Sequence, residues 1–150
     1  MERGLSHCVD NNIDPSEICD TSLHANMLPF RFQIQSAVHH SADAIEDTMK
    51  GVANAPSSIP PHSYTELQAL VADGVKRLKA FKPEDVNKLE GGDMRFEMPG
   101  LKIPFNAEGF LLSFSLPNLH FHATTAYDIL RLKGAPLGKR DYLGAMRVKA

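Results

Sequence analysis

Apolar residues recur every three or four positions in three long segments, and this spacing constrains the fold more than any other feature of the sequence. Such spacing places apolar side chains on one face of an α-helix. The first segment runs from Met27 to about Lys50, the second follows Ser63, and the third runs from Asn106 to about Lys133. The sequence therefore predicts three long amphipathic helices joined by short links, which is typical of an all-α bundle.

Residues with known capping preferences mark the ends of these helices. Asn26 is the predicted N-cap of the first segment, with Pro29 in its first turn, and Gly51 is the predicted C-terminal stop. Ser63 and Glu66 form a capping box at the start of the second. Its predicted buried stripe contains Leu67, Leu70, Val71, Gly74, Val75, Leu78 and Phe81.

Shorter elements lie between and before the long helices. Residues 1–12 are predicted to form a short helix, Asp14 and Pro15 to begin another, and residues 52–62 to form a loop. Residues 94–98 and 101–105 alternate apolar and polar side chains around Pro99-Gly100, which predicts a β-hairpin. Pro117 lies deep inside the last helix and should bend it.

Length and charge limit the class of protein. A chain of 150 residues with a net charge of -2 fits one domain, residues 1–150. There is no basic excess for nucleic acid and no apolar run long enough to span a membrane, so we expect a cytoplasmic protein with no nucleic-acid or membrane partner. Cys8 and Cys19 are expected to be reduced packing residues.

Blocks at both ends of the chain resemble one known family. They are Asp14-Pro15, Leu28-Pro29, Gln33-Ile-Gln35, His40, Leu116-Pro-Asn118, His122-Ala-Thr-Thr-Ala-Tyr127, Ile129-Leu-Arg131 and Gly138-Lys-Arg-Asp141. Their content and order resemble an uncharacterised domain-of-unknown-function family, number nineteen ninety-three, of the DinB/YfiT-like superfamily, which includes many proposed metal-dependent enzymes. The resemblance implies an all-α, DinB/YfiT-like four-helix bundle with a small β-hairpin before the last helix.

The chain departs from that family at its beginning. Similar sequences usually start with a first helix of about 30 residues, whereas only about a dozen residues precede Asp14-Pro15 here. We expect a shortened first helix, arising from truncation or completed by a partner. Because an incomplete bundle exposes apolar surface, a homodimer or poor solubility is expected.

The resemblance also implies a metal site. DinB-like proteins typically bind a divalent metal through one histidine of the second helix and an H-x-x-x-H pair on the last. The matching positions are His40, Asn118 and His122, so an asparagine replaces one histidine. An amide oxygen is a weaker ligand than imidazole, and zinc or nickel would be held poorly unless water or a carboxylate completes the site.

A purely structural role for these residues stays open. His40 and His122 could be core residues hydrogen-bonded to each other, to Asn118 or to Tyr127, and Asn118 could satisfy a carbonyl freed at Pro117. The neighbouring His39 and His120 point elsewhere on their helices and are expected to be exposed. The sequence is compatible with both the metal-ligand role and the structural role of these residues.

Three functions remain compatible with the sequence. The first is a divalent-metal-dependent hydrolase or thiol transferase acting on a small molecule, a class implied only by the resemblance. The second is a non-enzymatic small-ligand-binding or stress-related module with a vestigial metal site and an apolar pocket near Phe32, Phe114 and Phe121. The third is a truncated product without activity. No catalytic residue is assigned.

Overall fold

The computed structural model describes residues 1–56 and 60–149. Two long helices are composite: α3 joins Phe30–Val38, a π-helical turn His39–Asp43 and Ala44–Lys50, and α6 joins Ala107–Gly109, a π-helical turn Phe110–Ser115 and Leu116–Leu132. The remaining elements, in chain order, are α1 Glu2–Asp10, α2 Pro15–Cys19, β1 Val52–Asn54, α4 Tyr64–Ala80, α5 Pro83–Asn87, β2 Asp93–Met98, β3 Leu101–Asn106 and α7 Lys139–Leu143.

The capping residues that the sequence indicates begin three helices as predicted. The Asp14 carboxylate accepts a hydrogen bond from the Ser16 amide at 2.9 Å, which caps α2. Ser63 donates its amide to Glu66 at 2.7 Å and accepts the Glu66 amide through its hydroxyl at 3.3 Å, so the capping box of α4 is confirmed. Asn106 caps α6 by accepting the Gly109 amide at 2.9 Å.

The predicted start of α3 is wrong by three residues. The helix begins at Phe30 rather than Met27, and Pro29 is its N-cap in an extended conformation. The Phe30 amide donates to the Thr21 carbonyl at 2.8 Å, a contact between distant parts of the chain that fixes the entry of the helix. Asn26 does not cap it, because its side-chain oxygen instead accepts from His24 at 2.6 Å.

A three-stranded sheet replaces the single hairpin of the sequence prediction. The β2–β3 hairpin is confirmed, and β1 adds to it in parallel, with Val52 opposite Arg95 and Asn54 opposite Glu97. The predictions of an all-α fold and of a loop over residues 52–62 therefore need correction at β1. Three residues are too few to show alternation, and the strand forms because the edge of β2 offers free backbone groups. Residues 57–59 of that predicted loop lie outside the described residues.

Two apolar clusters hold the helices and the sheet together. One joins α1, α2, α3, α4 and α6 around Phe30, Leu67 and Ile129, which are fully buried. The other packs the sheet against α3 and the start of α6 around Phe96 and Phe110. The middle of α3 and of α6 lies between these clusters, and this is where the predicted site residues are found.

Across residues 1–56 and 60–149, every helix falls short of the length or apolarity that a membrane span requires.

The predicted apolar stripe of α4 is only partly buried. Leu67 and Gly74 are buried, whereas Val75 and Leu78 are exposed. The helix packs closely on α3 at one position, where a Cβ on Gly74 would lie 3.2 Å from Cγ1 of Val38. Because the contact is this narrow, the outer part of the stripe faces solvent.

Candidate functional site

Both helices that carry the predicted site residues contain a π-helical turn. His40 lies within the turn of α3, and the turn of α6 ends immediately before Leu116-Pro117. A π-turn inserts an extra residue per turn and is frequent at functional sites. In α6 it also accommodates Pro117, which has no amide to donate to the preceding turn. The bend predicted at Pro117 stays a prediction, whereas the π-turn that precedes this residue is observed.

His40 and His122 come together across the α3–α6 interface. Their imidazole rings are nearly parallel, with an interplanar angle of 6° and centroids 5.7 Å apart. His122 is buried and His40 is partly buried. The structure therefore brings two of the three predicted ligands into one place, although 82 residues of sequence separate them.

A hydrogen-bond chain fixes the protonation of His122. The Gln33 amide nitrogen donates to the carbonyl of Leu28 at 2.7 Å, so its amide oxygen faces His122. That oxygen lies 2.8 Å from Nδ1 of His122 and can only accept, which places the proton on Nδ1. The second ring nitrogen, Nε2, then keeps its lone pair.

The His40 ring has a nitrogen without a partner. Its Nδ1 is buried and makes no hydrogen bond to any described residue. Burial, together with the nearby His39 and His122, lowers the pKa of His40 from 6.5 to about 4. Burial, and to a smaller extent His39, also lowers the pKa of His122. Both imidazoles are therefore neutral near pH 7 and have lone pairs for a proton or a cation.

Asn118 is turned toward the backbone of its own helix. Its side-chain nitrogen donates to the carbonyl of Phe114 at 2.8 Å, one turn earlier and within the π-turn. The contact gives Asn118 a structural role, although the carbonyl that lacks its α-helical donor because of Pro117 is that of Ser113 rather than that of Phe114. The amide oxygen remains as the side-chain atom that could act as a ligand.

His39 and His120 differ in their surroundings. His120 is exposed as predicted, and its Nδ1 lies 3.2 Å from the Tyr142 hydroxyl. The prediction for His39 is wrong, because its side chain is only 18% exposed and its ring packs edge-on against His40 with centroids 4.9 Å apart. His39 and His40 both lie in the π-turn of α3. The wider spacing of a π-turn brings consecutive side chains nearer to one face.

Charged groups lie beside His39, whose ring packs against His40. Asp43 lies 3.7 Å from Nδ1 of His39, and Arg77 of α4 contacts Asp43 at 2.7 Å and Glu46 at 3.2 Å. His39, followed by Arg77, lowers the pKa of Asp43, so the carboxylate stays ionised. The sequence analysis missed the Arg77 contacts because they join α3 to a helix more than thirty residues away, with no local pattern to indicate them.

Aromatic rings surround the pair on its other sides. Phe114 packs edge-on against His40, and Phe32 and Phe121 pack edge-on against His122, with centroids 5.2–5.6 Å apart. The buried hydroxyl of Ser115 lacks a partner among the described residues and lies three and seven residues before Asn118 and His122, on the same helical face. The site is thus apolar in its walls and has a few polar atoms that converge.

The donors that the structure brings together are two imidazoles, fewer than the three or more protein ligands of a typical zinc site. No three residues of the types His, Cys, Asp and Glu cluster in ligand geometry within the described ranges, and Asn118 lies one turn before His122 on α6. The buried, unpartnered Nδ1 of His40 is the observation that favours a missing partner. A separate cleft of about 460 Å³, lined by Cys19, Arg31, His62 and Tyr64 among others, contains none of the predicted ligands.

Comparisons with known proteins agree with this architecture. A crystal structure of a DinB family member protein from Shewanella denitrificans superposes with a TM-score of 0.76 at 25% sequence identity, covering 99% of this chain and 84% of that chain. No curated protein matches the chain. The family model described as domain of unknown function (DUF1993) matches residues 1–143, nearly the whole chain. The chain therefore belongs to the DUF1993 family and has the DinB-like fold.

Proposed function

We propose that this protein is a DinB-like metal-binding enzyme in which His40 and His122 hold one divalent cation, zinc or nickel. Asn118 contributes its amide oxygen from one turn before His122 on α6. The helices form a four-helix bundle in which α1 is the shortened first helix. The reaction class, hydrolysis or thiol transfer on a small molecule, rests on the resemblance to the superfamily.

One observation carries the proposal: two neutral histidines from different helices lie with 5.7 Å between their ring centroids, the buried Nδ1 of His40 has no partner among the described residues, and Nε2 of His122 keeps its lone pair. A buried polar atom normally has a partner, because an unsatisfied one costs about 1–3 kcal/mol. Both rings being neutral also favours binding, since a metal ligand must be deprotonated at the binding nitrogen.

The residues around the pair define what such a site does. A bound divalent cation supplies a Lewis acid that polarises a carbonyl or lowers the pKa of a water. Phe114 and Phe32 are partly buried against the pair, and this low-polarity contact strengthens electrostatic interactions there, whereas Phe121 is 56% exposed. Asp43 is held ionised by His39 and Arg77 close to this point and provides negative charge beside the cation.

Zinc titration of metal-free protein tests the proposal. We expect calorimetry to detect one site in the wild type, and expect His40→Ala and His122→Ala each to abolish it while circular dichroism stays unchanged. His120→Ala is the matched control, because this histidine lies on the same helix as His122 but is exposed. Equal binding by His122→Ala and the wild type would refute the proposal.

A second candidate is a non-enzymatic module that binds a small apolar ligand, with the histidines serving as polar anchors. The three phenylalanine rings that pack against the pair favour it. This alternative predicts that a small aromatic probe protects the protein against thermal unfolding in the presence of a chelator. The metal proposal predicts no protection under those conditions.

A further inference from the structure

Gln33 occupies an unusual position for a glutamine. It is almost completely buried, at 2% exposure, in the interface between α3 and α6. Burying an amide is costly unless both its donor and its acceptor are satisfied. Both are satisfied here by one distinct group each, the carbonyl of Leu28 and the imidazole of His122.

These two contacts give the amide a single orientation. The carbonyl of Leu28 can only accept, so it must face the amide nitrogen of Gln33. The amide oxygen must then face Nδ1 of His122, and Nδ1 must carry the proton. The helix begins at Phe30 rather than at the predicted Met27, so Leu28 lies before its first turn. The carbonyl of Leu28 can therefore accept a hydrogen bond from the Gln33 side chain.

The consequence reaches the stacked pair. With the proton on Nδ1, the Nε2 lone pair of His122 is available, and the ring cannot rotate about its χ2 angle without breaking a buried hydrogen bond. In metal sites, a partner on the second nitrogen fixes the tautomer and the ring orientation of a ligating histidine. Gln33 has the geometry of such a partner.

We propose that Gln33 is the positioning residue of this site: it holds His122 in the Nδ1–H tautomer and so presents Nε2 to the divalent cation. This inference rests on the proposed function in one respect, namely that the species bound by Nε2 is a divalent cation. The tautomer itself is a property of the metal-free protein and can be measured without any cation.

Three variants separate positioning from simple filling of space. Gln33→Met keeps the length of the side chain and removes the acceptor. Gln33→Glu keeps an acceptor for Nδ1–H, loses the donor to the Leu28 carbonyl and adds a negative charge beside the ring. Gln35→Met is the matched control, because Gln35 lies on the same helix but contacts Pro60 and His62 instead.

The first readout is the tautomer of His122, from long-range proton–nitrogen correlation spectra of metal-free protein near neutral pH. The His122 signals are assigned by their loss in His122→Ala. We expect the Nδ1–H pattern in the wild type, Gln33→Glu and Gln35→Met, and a substantial Nε2–H population in Gln33→Met. An Nε2–H pattern in the wild type would overturn the inference even if Gln33→Met failed to fold.

The second readout is zinc affinity by calorimetry. We expect Gln33→Met to weaken binding about 10–100-fold, the usual cost of losing such a partner, and Gln33→Glu to restore it. An unchanged tautomer and unchanged affinity in a folded Gln33→Met would overturn the inference. Failure of the proposed function is distinguishable, because the wild type would then bind no zinc although His122 showed the expected tautomer.

Discussion

The burial of His40 couples the stability of this protein to pH. The folded chain holds the pKa of His40 at about 4, against 6.5 for an unperturbed histidine, so the unfolded chain takes up the proton first as the pH falls. The contribution of the neutral ring is complete above pH 6.5 and is lost as the pH decreases toward 4. We expect urea unfolding in the presence of a chelator to show a steeper loss of stability over this range in the wild type than in His40→Phe.

The comparison needs a histidine that lies outside the pair. The His120→Phe variant should keep the pH dependence of the wild type, because the exposed His120 makes no contact with His40 or His122. Equal slopes for the wild type and His40→Phe would show that His40 is not buried in its neutral form.

At the same scale, Asn118 explains why the metal site is expected to be weak. Asn118→His would restore the second histidine of the H-x-x-x-H pair at the cost of the hydrogen bond to Phe114, about 1 kcal/mol. We expect this variant to be slightly less stable to urea and to bind zinc at least tenfold more tightly, because imidazole is the better zinc ligand. A variant that binds zinc no better than the wild type would place position 118 outside the coordination sphere.

At the scale of elements, the sequence predicts what local chemistry determines. Asp14, Ser63 and Asn106 cap their helices as predicted, because each contact joins residues two or three apart. The start of α3, the parallel strand β1 and the two π-turns escaped prediction. The first two depend on pairing with distant backbone, and a π-turn has no hydrophobic period of its own within one turn.

The packing of α1 gives a prediction at this scale. A Cβ on Gly4 would lie 2.3 Å from the Tyr64 hydroxyl oxygen and 2.8 Å from Cδ2 of Leu130. Tyr64 cannot yield easily, because it is buried, stacks on Phe30 and donates to the carbonyl of Met1 at 2.8 Å. Gly4→Ala should therefore lower the free energy of unfolding by roughly 1–2 kcal/mol, since overpacking outweighs the gain in helix propensity.

Chemical denaturation measures this change, and Ser6→Ala provides the control. Ser6 is exposed on the same helix, so its replacement by alanine should be neutral or slightly stabilising. An increase in stability for Gly4→Ala would mean that α1 packs less tightly on α4 and α6 than described.

At the scale of the whole molecule, the sequence predicts the two ends of the site but not its connections. His40 and His122 were found through blocks of residues that resemble a family, and the fold brings them together. The other members of the site contact it in three ways. Gln33 bonds His122 across 89 residues of sequence, His39 packs against His40 within a π-turn, and Arg77 joins α4 to Asp43 of α3. Such contacts depend on how the helices pack, which a single sequence does not specify.

Exposed apolar residues on α6 bear on the assembly of the molecule. Leu112 is 67% exposed and Leu116 is 42% exposed, about one turn apart on the helix. Because exposed apolar surface drives association, we expect light scattering to give a mass above that of the 16.5 kDa monomer. Leu112→Ser with Leu116→Ser should restore the monomer, whereas a wild type that is already monomeric would refute this expectation.

The central claim is that the His40–His122 pair holds a divalent cation, and elemental analysis tests it most directly. The protein should be purified without a metal-affinity tag, alongside His122→Ala and His120→Ala. We predict zinc or nickel in the wild type and in His120→Ala, and its loss in His122→Ala. Absence of both metals from the wild type, even after reconstitution with zinc and nickel, would contradict the claim and leave the pair with a structural role.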